Sequence, residues 1–90
     1  MNTEFMFRFV RKFASHMLSM DVFEYLLEHG EEYRGSYRDL AEIMRGSKEQ
    51  ASNIRRAVLW LMDNGLVYVE LISKTRGVYI TVGEYWKESI

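Results

Sequence analysis

The sequence contains no cysteine, so neither a disulfide framework nor a thiolate metal site is open to it, in keeping with a reducing compartment. It also lacks an apolar run long enough to cross a bilayer. The most apolar stretch near its start, Phe5, Met6, Phe7, Phe9 and Val10, is interrupted by Glu4, Arg8, Arg11 and Lys12. That pattern makes a poor signal-peptide core and an impossible membrane span. A cytoplasmic location with no membrane partner is therefore the expectation. Internal repeats and low-complexity segments are absent. So are a recognisable nucleophile–base motif, a phosphate-binding loop and a recognisable metal-ligand motif around His16 or His29. Nothing here points to an enzyme, a cofactor or a small-molecule ligand.

What is present is one small domain's worth of chain. The 90 residues are 48% hydrophobic and 28% charged, a globular composition with room for a single core. The net charge of −1 argues weakly against nucleic acid, but its distribution argues the other way. Residues 1–18 carry +2, residues 19–44 carry −5, residues 45–56 carry +3 and residues 73–78 carry +2. Phosphate binding depends on such local blocks of positive charge rather than on the total.

Periodicity divides the chain into elements. Phe5, Met6, Phe9, Val10, Phe13 and Met17 recur at helical spacing and predict an amphipathic helix over 3–17, within an N-terminal segment 1–18 set apart from a domain at 19–90. Asp21 and Glu24 form a capping box for a second helix at about 21–29, which Gly30 ends. A short strand fits Tyr33–Arg34. Ser36 with Asp39 caps a third helix, built on Tyr37, Leu40, Ala41 and Met44, and Gly46 breaks it. Ser47 then caps a fourth, with Gln50 as its box partner; this helix reaches about Asp63 and buries Ala51, Ile54, Val58, Leu61 and Met62. Gly65 reads as the residue just past its end. From Leu66 the period falls to two. The alternating runs Val67–Val69–Leu71 and Val78–Ile80–Val82, joined by Ser73-Lys74-Thr75-Arg76-Gly77, predict a β-hairpin. A last helical turn fits within 84–90.

Helix, helix, tight turn, helix and a hairpin with a basic tip: in this order the sequence resembles the winged helix-turn-helix family of DNA-binding domains. The residues that carry the resemblance are Ser36-Tyr-Arg-Asp-Leu-Ala-Glu-Ile-Met44, the Gly46-Ser47 turn, Leu61-Met-Asp-Asn-Gly-Leu-Val67 and the hairpin with Lys74 and Arg76. It covers roughly residues 20–82, and many members have an apolar residue where this chain has Gly46. The resemblance implies an α+β fold, a three-helix core with a C-terminal hairpin wing, preceded here by an extra N-terminal helix. It also implies that helix 47–62 enters the major groove and that the wing at 73–77 touches backbone or minor groove, as in a small transcriptional regulator.

The residues support that implication independently. With Ala51, Ile54 and Val58 facing inward, the outward stripe is Glu49, Ser52, Asn53, Arg56 and Trp60, flanked by Lys48 and Arg55. Asn pairs with adenine, Arg with guanine, and Ser bonds permissively, so Ser52, Asn53 and Arg56 are the candidate base readers. Lys48, Arg55, Lys74 and Arg76 are the candidate backbone contacts. The same side chains taken alone describe an ordinary solvated face. Trp60 reads as packing against the N-terminal helix or a partner chain rather than stacking on a nucleotide. His29 reads as bonding the last carbonyls of its helix. Phe5, Phe9 and Phe13 are more apolar surface than a thin domain covers, which predicts a homodimer through the N-terminal helix. The alternative function is a winged-helix protein-interaction module that uses its acidic second helix or the groove beside the wing.

Overall fold

Asn2 starts the first helix: its side-chain oxygen accepts from the Phe5 amide at 2.8 Å, which satisfies one of the donors a helix start leaves free. The computed structural model describes residues 2–90. Helix α1 spans Thr3–Phe13, shorter than the expected 3–17, and α2 spans Met17–Glu28. The break falls at Ala14–His16, and α2 starts ahead of the expected Asp21 cap. Packing explains the difference. The turn folds Phe13 back onto Phe23, with ring centroids 6.0 Å apart and both residues fully buried. Burying each ring is worth about 1.5–3 kcal/mol, whereas a side-chain cap is worth about 1 kcal/mol. Ring burial outweighs the cap, and α2 begins at Met17, with His16 before it making no side-chain cap bond. At its far end the Glu31 amide donates to the Leu26 carbonyl at 2.8 Å, and His29 Nδ1 lies 2.7 Å from the Tyr25 carbonyl, the helix-end role expected of it.

Strand β1 (Glu32–Gly35) leads into α3 (Tyr37–Arg45). Ser36 caps α3 by accepting from the Asp39 amide at 3.0 Å, and Leu40 and Ala41 are fully buried. Gly46 ends the helix in the left-handed region, at φ 71°. Ser47 then accepts from the Glu49 amide, but it opens only a single 3-10 turn, Lys48–Gln50, before α4 runs Ala51–Asp63. The expected Ser47–Gln50 capping box is not made, because the Gln50 side chain accepts instead from Asn53. In α4, Ile54, Val58 and Leu61 are fully buried and Ala57 nearly so, while Met62, expected inside, is exposed. Gly65 closes the helix at φ 73°. Its amide donates to the Met62 carbonyl and that of Leu66 to the Leu61 carbonyl, at 3.0 and 2.9 Å. This paired closure, with Leu61 and Leu66 both buried, satisfies carbonyls that the helix end would strand.

Strands β2 (Val67–Ser73) and β3 (Gly77–Val82) form the hairpin, and β1 pairs antiparallel on the other side of β3, giving the order β1-β3-β2. The register sets Tyr33 opposite Ile80 and Val69 opposite Ile80 on the two sides. Val67, Val78 and Ile80 point into the core, as the period-two pattern requires. Leu71 does not: it is 70% exposed, next to a register shift between Leu71 and Ser73. A Cβ at Gly77, at φ 89°, would strike the Gly35 carbonyl. Only glycine lets β1 and β3 approach this closely. The described residues form a small α+β domain of four α-helices and a three-stranded antiparallel sheet. Among the described residues no helix is long and apolar enough to cross a membrane.

The N-terminal helix is part of this core. Phe13 is fully buried, Phe9 stands 4.9 Å from Phe13 and 6.4 Å from Phe23, and Phe5 meets Trp86 edge-on at 6.0 Å. Trp86 begins a closing 3-10 turn, Trp86–Ser89, and lies 5.1 Å from Phe23. Of the three rings expected at a dimer contact, Phe13 is buried within its own chain, while Phe5 and Phe9 are half-buried. Their rings are taken up by aromatic neighbours in the same chain, in edge-on and tilted pairs worth about 0.5–1.5 kcal/mol each beyond burial.

Candidate nucleic-acid interface

The exposed face of α4 is held in place from behind. Ile54, Ala57, Val58 and Leu61 anchor it in the core, and the buried Ser19 hydroxyl donates to the Ala57 carbonyl at 3.1 Å. Facing outward are Ser52, Asn53, Arg55 and Arg56, all exposed. Three side chains form a ladder along this face. Asn53 Nδ2 donates to Gln50 Oε1 at 2.7 Å, and Arg56 Nη2 donates to Asn53 Oδ1 at 2.5 Å. Residues three apart on a helix are neighbours, and the second bond is charge-assisted and so among the stronger kinds. The ladder orders Asn53 and Arg56 while leaving one Asn53 N–H and most of the guanidinium donors free.

The candidate backbone-contacting residues fall into three settings. Lys48 Nζ lies 3.5 Å from Glu42 Oε2 of α3, both side chains half exposed. Such a pair is worth little in water and yields readily to a phosphate. Arg55 is exposed on α4, and its charge opposes the burial that pushes the Tyr37 hydroxyl of α3 above the ordinary phenol range. Lys74 and Arg76 are exposed at the hairpin tip. There Ser73 Oγ accepts from the Arg76 amide at 2.8 Å and lies 3.4 Å from Thr75 Oγ1, which shapes the loop.

The structure brings Asn53 and Arg56 beside a segment that the sequence did not connect with them. An open hollow of about 360 Å³ lies between α4 and the α1–α2 turn, lined by Asn53, Arg56, Trp60, His16 and the start of α2. His16 stacks on Trp60 at 4.2 Å, and Phe13 lies 5.5 Å from the same indole. Trp60 therefore packs against the end of α1, as expected of it. No local pattern links His16 to Trp60. The nearest signal in the sequence is Ser19, a small polar residue on the otherwise apolar face of α2.

On the sheet, Arg34 lies over the Tyr79 ring at 4.4 Å, and the Tyr79 hydroxyl donates to Glu32 Oε2 at 2.6 Å. That bond, first among the causes, holds the phenol above its ordinary range. The α4 face thus presents ordered donors and two guanidinium groups, an arrangement suited to an acceptor-rich, negatively charged surface. No family model matches the chain, and neither a curated protein nor a solved structure matches it.

Proposed function

We propose that this chain is a winged helix-turn-helix protein that binds double-stranded DNA sequence-specifically, as a small cytoplasmic transcriptional regulator. In this reading the Lys48–Asp63 segment enters the major groove and the hairpin is the wing. Ser52, Asn53 and Arg56 read base edges, while Lys48, Arg55, Lys74 and Arg76 hold phosphates. The observation that carries the reading is the Gln50–Asn53–Arg56 ladder. An amide and a guanidinium, the two groups best matched to adenine and guanine, are ordered side by side on the exposed face of a helix that follows a tight turn. The element order and the β1-β3-β2 sheet are compatible with the same fold.

The test is selection of bound duplexes from a random library, followed by titration of the recovered site at several salt concentrations. The expected result is an enriched motif whose affinity falls with salt by a log–log slope of about three to four, from the four proposed phosphate contacts. A second reading, a protein-interaction module, draws on the near-neutral net charge and the Lys48–Glu42 pairing. An unenriched library together with salt-insensitive, negligible duplex binding would reject the DNA reading in its favour.

A further inference from the structure

With the Phe5–Phe9–Phe13 face packed onto the core, α1 still presents a second apolar face. Met6, Phe7 and Val10 are 49%, 65% and 57% exposed. Beside them an open groove of about 470 Å³ runs between α1 and α2, with Met6 and Val10 on one side and Met20 and Leu27 on the other. Glu24 and Glu28 of α2 line the same groove. At 100° per residue, the Met6–Val10–Phe7 stripe of α1 is bordered on its far side by Arg11, then Arg8 and Lys12.

The charges are complementary and unpaired. Among the described residues the one ion pair is Lys48–Glu42, so Arg8, Arg11, Lys12, Glu24 and Glu28 have no opposite charge bound within the chain. The groove offers apolar walls with carboxylates; α1 offers an apolar stripe with cations. A carboxylate-bearing groove repels an anionic lipid surface but suits a basic amphipathic helix, and this chain supplies that helix itself. Because α1 is at once the wall of the groove and the element that fits it, the contact is self-complementary and closes with two-fold symmetry.

We propose that a second copy of this chain seats its α1 in the α1–α2 groove. Met6, Phe7 and Val10 pack between the copies, and Arg8 and Arg11 of each copy face Glu24 and Glu28 of the other. This contact does not depend on DNA binding. The test is sedimentation equilibrium of the full chain and three variants, each first checked for an unaltered helical spectrum and melting temperature. The parent should have twice its 10.7 kDa chain mass. Val10→Glu, at an exposed position, should halve it. The Glu24→Lys, Glu28→Lys variant and the Arg8→Glu, Arg11→Glu variant should each be monomeric alone, since each opposes like charges across the interface. Mixed together they should recover the dimer mass, because each then supplies the charge the other has reversed. A monomeric parent overturns the proposal, whether it remains free or sediments with vesicles of mixed phosphatidylcholine and phosphatidylserine. So does a mixture that stays monomeric, or a charge variant that dimerises alone as tightly as the parent.

Discussion

The hydroxyl of Ser19 donates a buried hydrogen bond, 3.1 Å long, to the carbonyl of Ala57, across 38 residues of sequence. It is a polar tie between α2 and α4, and among the described residues Ser19 is the one polar side chain buried in the core. The Ala57 carbonyl keeps its helical role, so the bond adds stability without being the only partner of that acceptor. Ser19→Ala should therefore cost about 0.5–1.5 kcal/mol, read as a lower urea midpoint with an unchanged m-value. A loss above about 3 kcal/mol would mean that the substitution opens the α2–α4 packing itself.

The Arg56–Asn53 bond predicts coupled effects on binding. Under the DNA reading, Asn53→Ala and Arg56→Ala should each weaken the selected site by about 1–3 kcal/mol and relax preference at one or two base positions. Because Asn53 orients Arg56, the double variant should lose less than the sum of the two. Strict additivity in the double-mutant cycle would make the ladder irrelevant to readout, and equal losses on a scrambled duplex would make both residues phosphate contacts.

At the hairpin tip, the Lys74→Ala, Arg76→Ala double variant should weaken all duplexes alike and lower the salt slope by about two units. Both side chains are exposed on a loop held by Ser73, so stability should not change. An unaltered slope with full affinity would show that the tip faces away from DNA.

Gly77 and Gly46 should respond differently to alanine. Both have positive φ, but a Cβ at Gly77 strikes the Gly35 backbone while one at Gly46 meets nothing within 4 Å. Gly46→Ala should cost only the conformational strain, about 1 kcal/mol, whereas Gly77→Ala should cost about 2 kcal/mol or more because β1 must also move. Thermal melts of the two variants make the comparison, and equal shifts would contradict the close β1–β3 approach.

Burial raises the hydroxyl pKa of Tyr37 above the ordinary phenol value. The unfolded chain then releases this proton first, so the group's contribution to stability is intact below about pH 10 and is lost as pH rises toward the higher folded value. Tyr33, also raised chiefly by burial, acts in the same direction. The melting temperature should fall above about pH 10 in the parent and fall less steeply in Tyr37→Phe. Identical alkaline profiles would place Tyr37 in a solvent-like setting.

What the sequence by itself determined is what neighbouring residues decide among themselves. Ser36 caps α3, Gly65 closes α4 in the left-handed region with its amide on the Met62 carbonyl, and the inward phase of Ile54 and Val58 comes from a 3.6-residue period. The hairpin, its inward Val78 and Ile80 and the α+β architecture stem from the change of period at Leu66. On the candidate site, the exposed run Ser52, Asn53, Arg55 and Arg56 was legible for the same reason: one helix face is a matter of spacing. Only the tertiary structure decided where that face stops and what lies beside it. Phe13 breaks the first helix because Phe23 awaits it, His16 reaches Trp60, Ser19 finds Ala57, and Trp86 covers the rings of α1. These partners lie far apart along the chain. A cap worth about 1 kcal/mol is written within one helical turn, but burial worth two or three times as much is settled between elements whose meeting no local pattern records.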